Sequence, residues 1–219
     1  AMRESDPADL RHALRQILVG VDRASHLVDQ MLALARAEAK GEAERTLIPL
    51  DVDCLLREII EAWVVRALDK RIDLGYEPAG TVLIEGNVFL LREMVNNLVD
   101  NALRHTPAGG RVTARVVAQG DFVVLEIEDG GPGISDADAQ KVFDRFYRVD
   151  GTESEGSGLG LAIVREIAEL HRAAASLRRN TRNPAADDPP GCIARIVFPV
   201  YKAQPVRGAR ADAVQTRFA

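Results

Sequence analysis

The run Gly156-Ser157-Gly158-Leu159-Gly160-Leu161 limits what this chain can fold into more than any other feature. Its glycines feed directly into an apolar segment, 161 to 170, with helical periodicity. Bare backbone amides at a helix N-terminus bind phosphate, assisted by the helix dipole. Taken alone, such a glycine pattern is weak. It does not follow a strand, as a dinucleotide-binding fingerprint would, and it lacks the Lys-Ser/Thr ending of a P-loop. The commoner nucleotide-binding folds are thereby excluded.

The surroundings are those of a globular protein. The chain has 219 residues, 47% hydrophobic and 28% charged, enough for one substantial domain and a smaller element. A net charge of -5 gives no reason to expect nucleic acid or an anionic membrane surface as partner. A phosphate site must then be locally electropositive or use a metal. Two isolated cysteines, Cys54 and Cys192, form neither a disulfide framework nor a zinc site; both are expected to be reduced and buried. No apolar run approaches the ~20 residues that span a bilayer. Ala1-Met2 reads as an expression remnant before a segment that starts mid-protein.

Periodicity divides the chain into three parts: a helix with its connector over 1–44, a domain over 45–202, and a polar tail over 203–219 expected to be mobile. Residues 8 to 40 place Leu10, Leu14, Ile17, Val21, Leu27, Val28, Met31, Leu32 and Leu34 at helical spacing. That stripe needs a partner helix or chain. In the domain, strands are expected at 47–52, 72–76, 81–84, 111–118, 122–128, 175–179 and 192–200. Helices are expected at 53–68, with Asp51 or Asp53 at the N-cap, at 88–103, 136–144 and 161–170.

Three further motifs carry chemistry. On the 88–103 helix, Glu93, Asn97 and Asn101 fall at i, i+4 and i+8, a polar edge beside the apolar stripe Leu91, Val95, Leu98 and Ala102. Each alone is compatible with a solvated face. Together they look like oxygen ligands suited to Mg2+, which keeps several waters and leans on substrate phosphates. Asp129-Gly130-Gly131-Pro132-Gly133-Ile134 follows a strand. Its carboxylate can accept a hydrogen bond from an adenine amino group, although Asp-Gly and Pro-Gly also make plain turns. Phe143-Asp144-Arg145-Phe146-Tyr147-Arg148 concentrates aromatics; it reads as a packing cluster that anchors a loop, itself a gating role.

In this order and spacing the four elements resemble the N, G1, F and G2 boxes of sensor histidine kinases over residues 45 to 200. Gly191-Cys192-Ile193 looks like the closing G3 element, with Cys192 where the family usually has threonine. The resemblance implies an α+β, two-layer Bergerat sandwich, a mixed sheet packed on helices, preceded by the long N-terminal helix. It implies ATP and Mg2+ as ligands. Asn101 would bind the metal with Asn97 beside it, and Glu93 would be the base. Arg104, where lysine is frequent, would contact phosphate, and His105 occupies a position commonly tyrosine. Asp129 would read adenine, with Gly131, Gly133 and Ile134 shaping the pocket. Phe146, Tyr147, Arg148, Gly156, Ser157, Gly158, Leu159, Gly160 and Leu161 would frame ATP at the end of a lid over 132–157.

The same resemblance reads 22–38 as the second helix of a dimerisation and phosphotransfer hairpin. None of the histidines has the His-Glu pair and downstream proline of a phosphoacceptor, so the chain is expected to bind Mg-ATP without phosphorylating itself. The intact protein would be a homodimeric protein-histidine kinase. It would pass phosphate to a response regulator from the cytoplasmic portion of an inner-membrane sensor. Rival readings are a non-catalytic nucleotide-binding scaffold, a serine kinase of the same fold, and an ATP hydrolase of the gyrase, MutL or heat-shock type. Hydrolases place glutamate at the position of Asn97, and an amide cannot take a proton at neutral pH.

Overall fold

A computed structural model describes residues 47–149, 157–181 and 190–202. The expected N-terminal helix, Gly156, the acidic stretch of the lid and the tail lie outside the described residues. The order is β1 (Ile48–Asp51), α1 (Val52–Asp69), β2 (Asp73–Glu77), β3 (Leu83–Gly86), α2 (Val88–His105), β4 (Arg111–Gln119), β5 (Phe122–Asp129), α3 (Asp136–Lys141), α4 (Gly160–Leu170), β6 (Ala174–Arg179) and β7 (Cys192–Pro199).

Each long helix starts where the sequence supplies a cap. Asp51 closes α1 by accepting from the Asp53 and Cys54 amides at 3.1 and 3.4 Å. The same oxygen takes the Val82 amide at 3.2 Å, which ties the cap to the strand beside it. Of the two cap candidates the structure selects Asp51, because Asp53 lies inside the first turn and holds the Ala79 amide. Asn87 caps α2 through the Phe89 and Leu90 amides. An N-cap of this kind is worth about 1 kcal/mol.

β1 and β3 pair antiparallel as a separate ribbon. The other strands form one mixed sheet in the order β2-β4-β5-β7-β6, parallel only at β2-β4. Alternation decides the faces. Val112, Ala114 and Val116 of β4, Val123, Leu125 and Ile127 of β5, and Ala194, Ile196 and Phe198 of β7 enter the core. Leu91, Met94, Val95, Leu98 and Ala102 of α2 and Ile163, Val164 and Ile167 of α4 meet them. Burying each such large side chain is worth about 1.5–3 kcal/mol. The opposite face is polar: Arg115 pairs with Glu77, Glu126 and Glu128 across three strands. The expected two-layer α+β sandwich is therefore present. Cys54 and Cys192 are half-buried rather than buried.

Candidate nucleotide site

Three segments converge around the end of β5. Asp129 closes that strand and is only 7% exposed. Its Oδ1 accepts the Gly131 amide at 2.9 Å and the Cys192 amide at 3.1 Å; among the described residues Oδ2 accepts none. Burial pushes the carboxyl up to about 6, against the pull of those two amides. A group held so far from its ordinary value is a marker of a functional site.

The turn after Asp129 is built by backbones at close approach. A Cβ on Gly131 would lie 2.8 Å from Asp129 Oδ1 and 3.0 Å from the His105 carbonyl, so α2 ends directly against this turn. Gly191 sits at φ +66°, and a Cβ there would be 1.9 Å from the Asp129 carbonyl oxygen. Only glycine fits. Gly133 packs against Pro190 and Gly191, and half-buried Ile134 leans on the core. Cys192 contributes through its amide. Its thiol is pushed to about 12 by burial and by the neighbouring Asp129 charge, so it stays protonated.

On α2, Asn97 is buried and its Nδ2 donates to the Glu93 carbonyl at 2.8 Å. That bond fixes which end of the amide is oxygen. Half-buried Asn101 follows one turn on, and Glu93 precedes by one turn. Arg104 extends from the same edge, with Nη2 on Asp100 Oδ2 at 2.5 Å, while Arg66 of α1 holds the other oxygen at 3.3 Å. Sequence reasoning missed Asp100, although an i, i+4 carboxylate–arginine pair was visible. His105 is held below its usual range by burial first and then by the Arg104 and Lys70 charges; at pH 7 it is neutral.

The glycine segment enters α4 as expected. Leu159 is buried at the helix N-cap, and no side chain caps that end. The N–H groups of the first turn are those an anion would satisfy. Ser157 Oγ accepts the Leu159 amide at 3.2 Å and shapes the approach. Leu161 packs on the core. Gly158, at φ +72°, accepts the Phe146 amide at 3.0 Å, and a Cβ there would strike Phe146 at 2.8 Å. This contact ties the middle of the 132–157 segment to the start of the glycine run.

The aromatic cluster divides. Phe143 is buried, Tyr147 is half-buried with its hydroxyl donating to Asp138 at 2.7 Å, and Phe146 is 68% exposed at φ 63°. A packing cluster of three aromatics is thus corrected to one core anchor, one tethered tyrosine and one outward phenylalanine. The Gly158 contact sets the Phe146 backbone and turns its ring out. Arg148 is exposed.

Among the described residues no group of three His, Cys, Asp or Glu could hold a metal. Amide oxygens from Asn97 and Asn101 fit a cation that keeps waters and takes its remaining ligands from phosphate.

The profile of the family described as "Histidine kinase-, DNA gyrase B-, and HSP90-like ATPase" matches residues 86–202, more than half the chain. The chain belongs to that family. Within it, this member of the histidine kinase-, DNA gyrase B- and HSP90-like ATPases is 41% identical over 172 residues to the sensor protein kinase PmrB of Pseudomonas aeruginosa. That match covers 78% of the chain and 36% of PmrB. Identity to the sensor protein QseC of Escherichia coli K12 is 36% over 174 residues, covering 78% and 37%. The chain thus spans little more than a third of the curated relatives it matches. Among solved structures, the mycobacterial sensor histidine kinase MprB superposes with a TM-score of 0.59 at 33% identity, over 70% of this chain and 97% of MprB. Full-length ShkA in complex with AMPPNP superposes at 0.66 with 25% identity, over 87% and 40%. No helix among the described residues is long and apolar enough to cross a membrane.

Proposed function

We propose that the chain is the ATP-binding catalytic part of a sensor histidine kinase. The observation that carries this is Asp129: a nearly buried carboxylate whose Oδ1 is occupied by two backbone amides and whose Oδ2 accepts nothing among the described residues. Oδ2 takes the adenine amino group. The relatives named as sensor kinases and the AMPPNP bound by ShkA support the same ligand class.

Around the nucleotide, Asn97 and Asn101 would hold Mg2+. The ion, when bound, neutralises charge that develops on the phosphates. Arg104 contacts phosphate from the α2 side, and the uncapped start of α4 donates amides from the other. Glu93 would take the proton from the attacking group. Phe146, Tyr147 and Arg148 would belong to the lid, with Gly156 framing its end. Catalysis of this kind is positioning and charge stabilisation. An amide at position 97 favours transfer to a histidine over hydrolysis.

In the whole protein, the N-terminal helix would dimerise the chain, the γ-phosphoryl would reach a histidine, and a response regulator would receive it next. ThkA was solved with its response regulator TrrA, a fold-level parallel at 20% identity. The catalytic part would lie on the cytoplasmic side of a membrane sensor. The testing experiment is calorimetric titration with a non-hydrolysable ATP analogue, with and without Mg2+, and with GTP as control. Magnesium-dependent, adenine-selective binding is the expected result; no binding, or equal binding of GTP, sinks the proposal.

A further inference from the structure

His171 is the most buried of the polar and charged side chains among the described residues, at 3% exposed. It follows α4 directly and has no part in the nucleotide chemistry above. Its Nδ1 lies 2.7 Å from the Ile167 carbonyl oxygen, and its Nε2 receives the Asn87 amide at 3.0 Å. A carbonyl only accepts, so Nδ1 must carry the proton. A backbone amide only donates, so Nε2 must offer its lone pair. One species satisfies both: the neutral imidazole protonated at Nδ1.

The partner at Nε2 is the residue that starts α2. Asn87 caps the helix with its side chain, and its carbonyl takes the Leu91 amide at 2.9 Å. There is no slack around it. A Cβ on Gly86 would sit 2.4 Å from Leu91 Cδ1 and 3.4 Å from His171 Cδ2. On its other side the ring meets Phe198 edge-on, with centroids 6.5 Å apart. The imidazole therefore joins the start of α2 to the end of α4, with β3 and β7 holding it in place.

We infer that His171 is a positioning residue: it locks α4 onto α2, and so fixes the Gly158–Gly160 amides relative to the Asn97–Asn101 edge. What those two sets of groups hold rests on the function proposed above. α4 packs along α2, and its 11 residues span about 16 Å. A tilt of about 4° at the lock displaces the far end of such a helix by about 1 Å. Displacements of that size can cost on the order of a hundredfold in rate where reacting groups must be held in line. A residue that merely filled space would not need a nitrogen on each side.

The test uses the full chain and two variants. His171→Phe keeps the ring and removes both nitrogens; His171→Gln returns an acceptor to the Asn87 amide. Affinity for the ATP analogue is measured well below each variant's melting temperature, together with amide hydrogen exchange across α2 and the start of α4. His171→Phe is expected to weaken the analogue about tenfold or more and to speed exchange at Asn97–Asn101. His171→Gln is expected to restore most of both. A folded His171→Phe protein with wild-type affinity and unchanged exchange overturns the inference and leaves His171 as core packing. Should His171→Phe not fold, 15N spectra of the wild-type imidazole and the His171→Gln titration decide: a proton on Nε2, or a Gln variant that binds the analogue about tenfold or more weakly than wild type, overturns it. If wild type itself does not bind the analogue, the function fails. The exchange comparison then still decides whether His171 couples the helices.

Discussion

Asp129→Asn separates recognition from folding at one atom. Asparagine keeps an oxygen where Oδ1 accepts the Gly131 and Cys192 amides at 2.9 and 3.1 Å. It replaces Oδ2 by an NH2 group that, in the proposed pose, would face the adenine amino group donor to donor. A hydrogen bond involving a charged group contributes about 1.5–3 kcal/mol, so affinity for the ATP analogue should fall about ten- to a hundredfold. Stability of the unliganded protein should move the other way. The carboxyl titrates at about 6 in the folded chain against 3.8 ordinarily. Between those values the folded state holds the proton that the unfolded state has released. Stability therefore falls as pH rises through that window, and the full cost is present above it. At 1.36 kcal/mol per unit the cost is at most about 3 kcal/mol, and the amide does not incur it. Calorimetric binding at pH 8 and thermal melts from pH 3.5 to 8 test both halves. Wild-type affinity in Asp129→Asn would refute the adenine placement. A variant less stable than wild type at pH 8 would refute the burial argument.

Other substitutions probe separate parts. Arg104→Ala should weaken ATP in calorimetry while leaving adenosine unchanged, since Arg104 is placed on phosphate and Asp100 keeps Arg66. Gly191→Ala must push the Asp129 carbonyl aside from 1.9 Å, and should lower both the melting temperature and the analogue affinity. Leu98→Ala, at a fully buried site on α2, should cost about 2–5 kcal/mol in denaturant unfolding. His171 is held below its usual range, by burial first. Its contribution to stability is thus complete above about pH 6.5 and is lost as pH falls below it. His105 is held low in the same way and Asp129 acts with the opposite sign, so Asp129→Asn melts should show the combined loss of the two histidines most clearly. Incubation of this chain with radiolabelled ATP should leave no acid-labile label. Of its histidines, His171 has both ring nitrogens bonded, and none has the sequence context of a phosphoacceptor.

Much of the site was readable because its parts are local. The edge of Glu93, Asn97 and Asn101 follows from helical spacing, and the uncapped start of α4 from glycines before an apolar run. The helices and strands were read within a few residues of their bounds. The chief errors are a third helix carried past Lys141 and a strand begun at 81 instead of Leu83; the second lies just after Gly80, where a glycine turn competes with a short periodic run. The triple aromatic cluster failed for a different reason: sequence shows that aromatics are close in the chain, and only packing shows which one turns inward.

By itself, then, the sequence determined which surfaces must be buried, which backbones must be bare and which polar side chains line up along one edge of α2. These depend on residue type and a period of two or 3.6. Tertiary structure alone decided the long-range pairings. It brought the Cys192 amide to Asp129 across 63 residues, the Asp53 carboxylate to Ala79 and the His171 imidazole to Asn87 across 84. It also set the carboxyl of Asp129 well above its ordinary range. No local pattern encodes such contacts, because their partners meet only when the sheet order β2-β4-β5-β7-β6 closes over the helices. Desolvation, which shifts the carboxyl, exists only once that closure has excluded water.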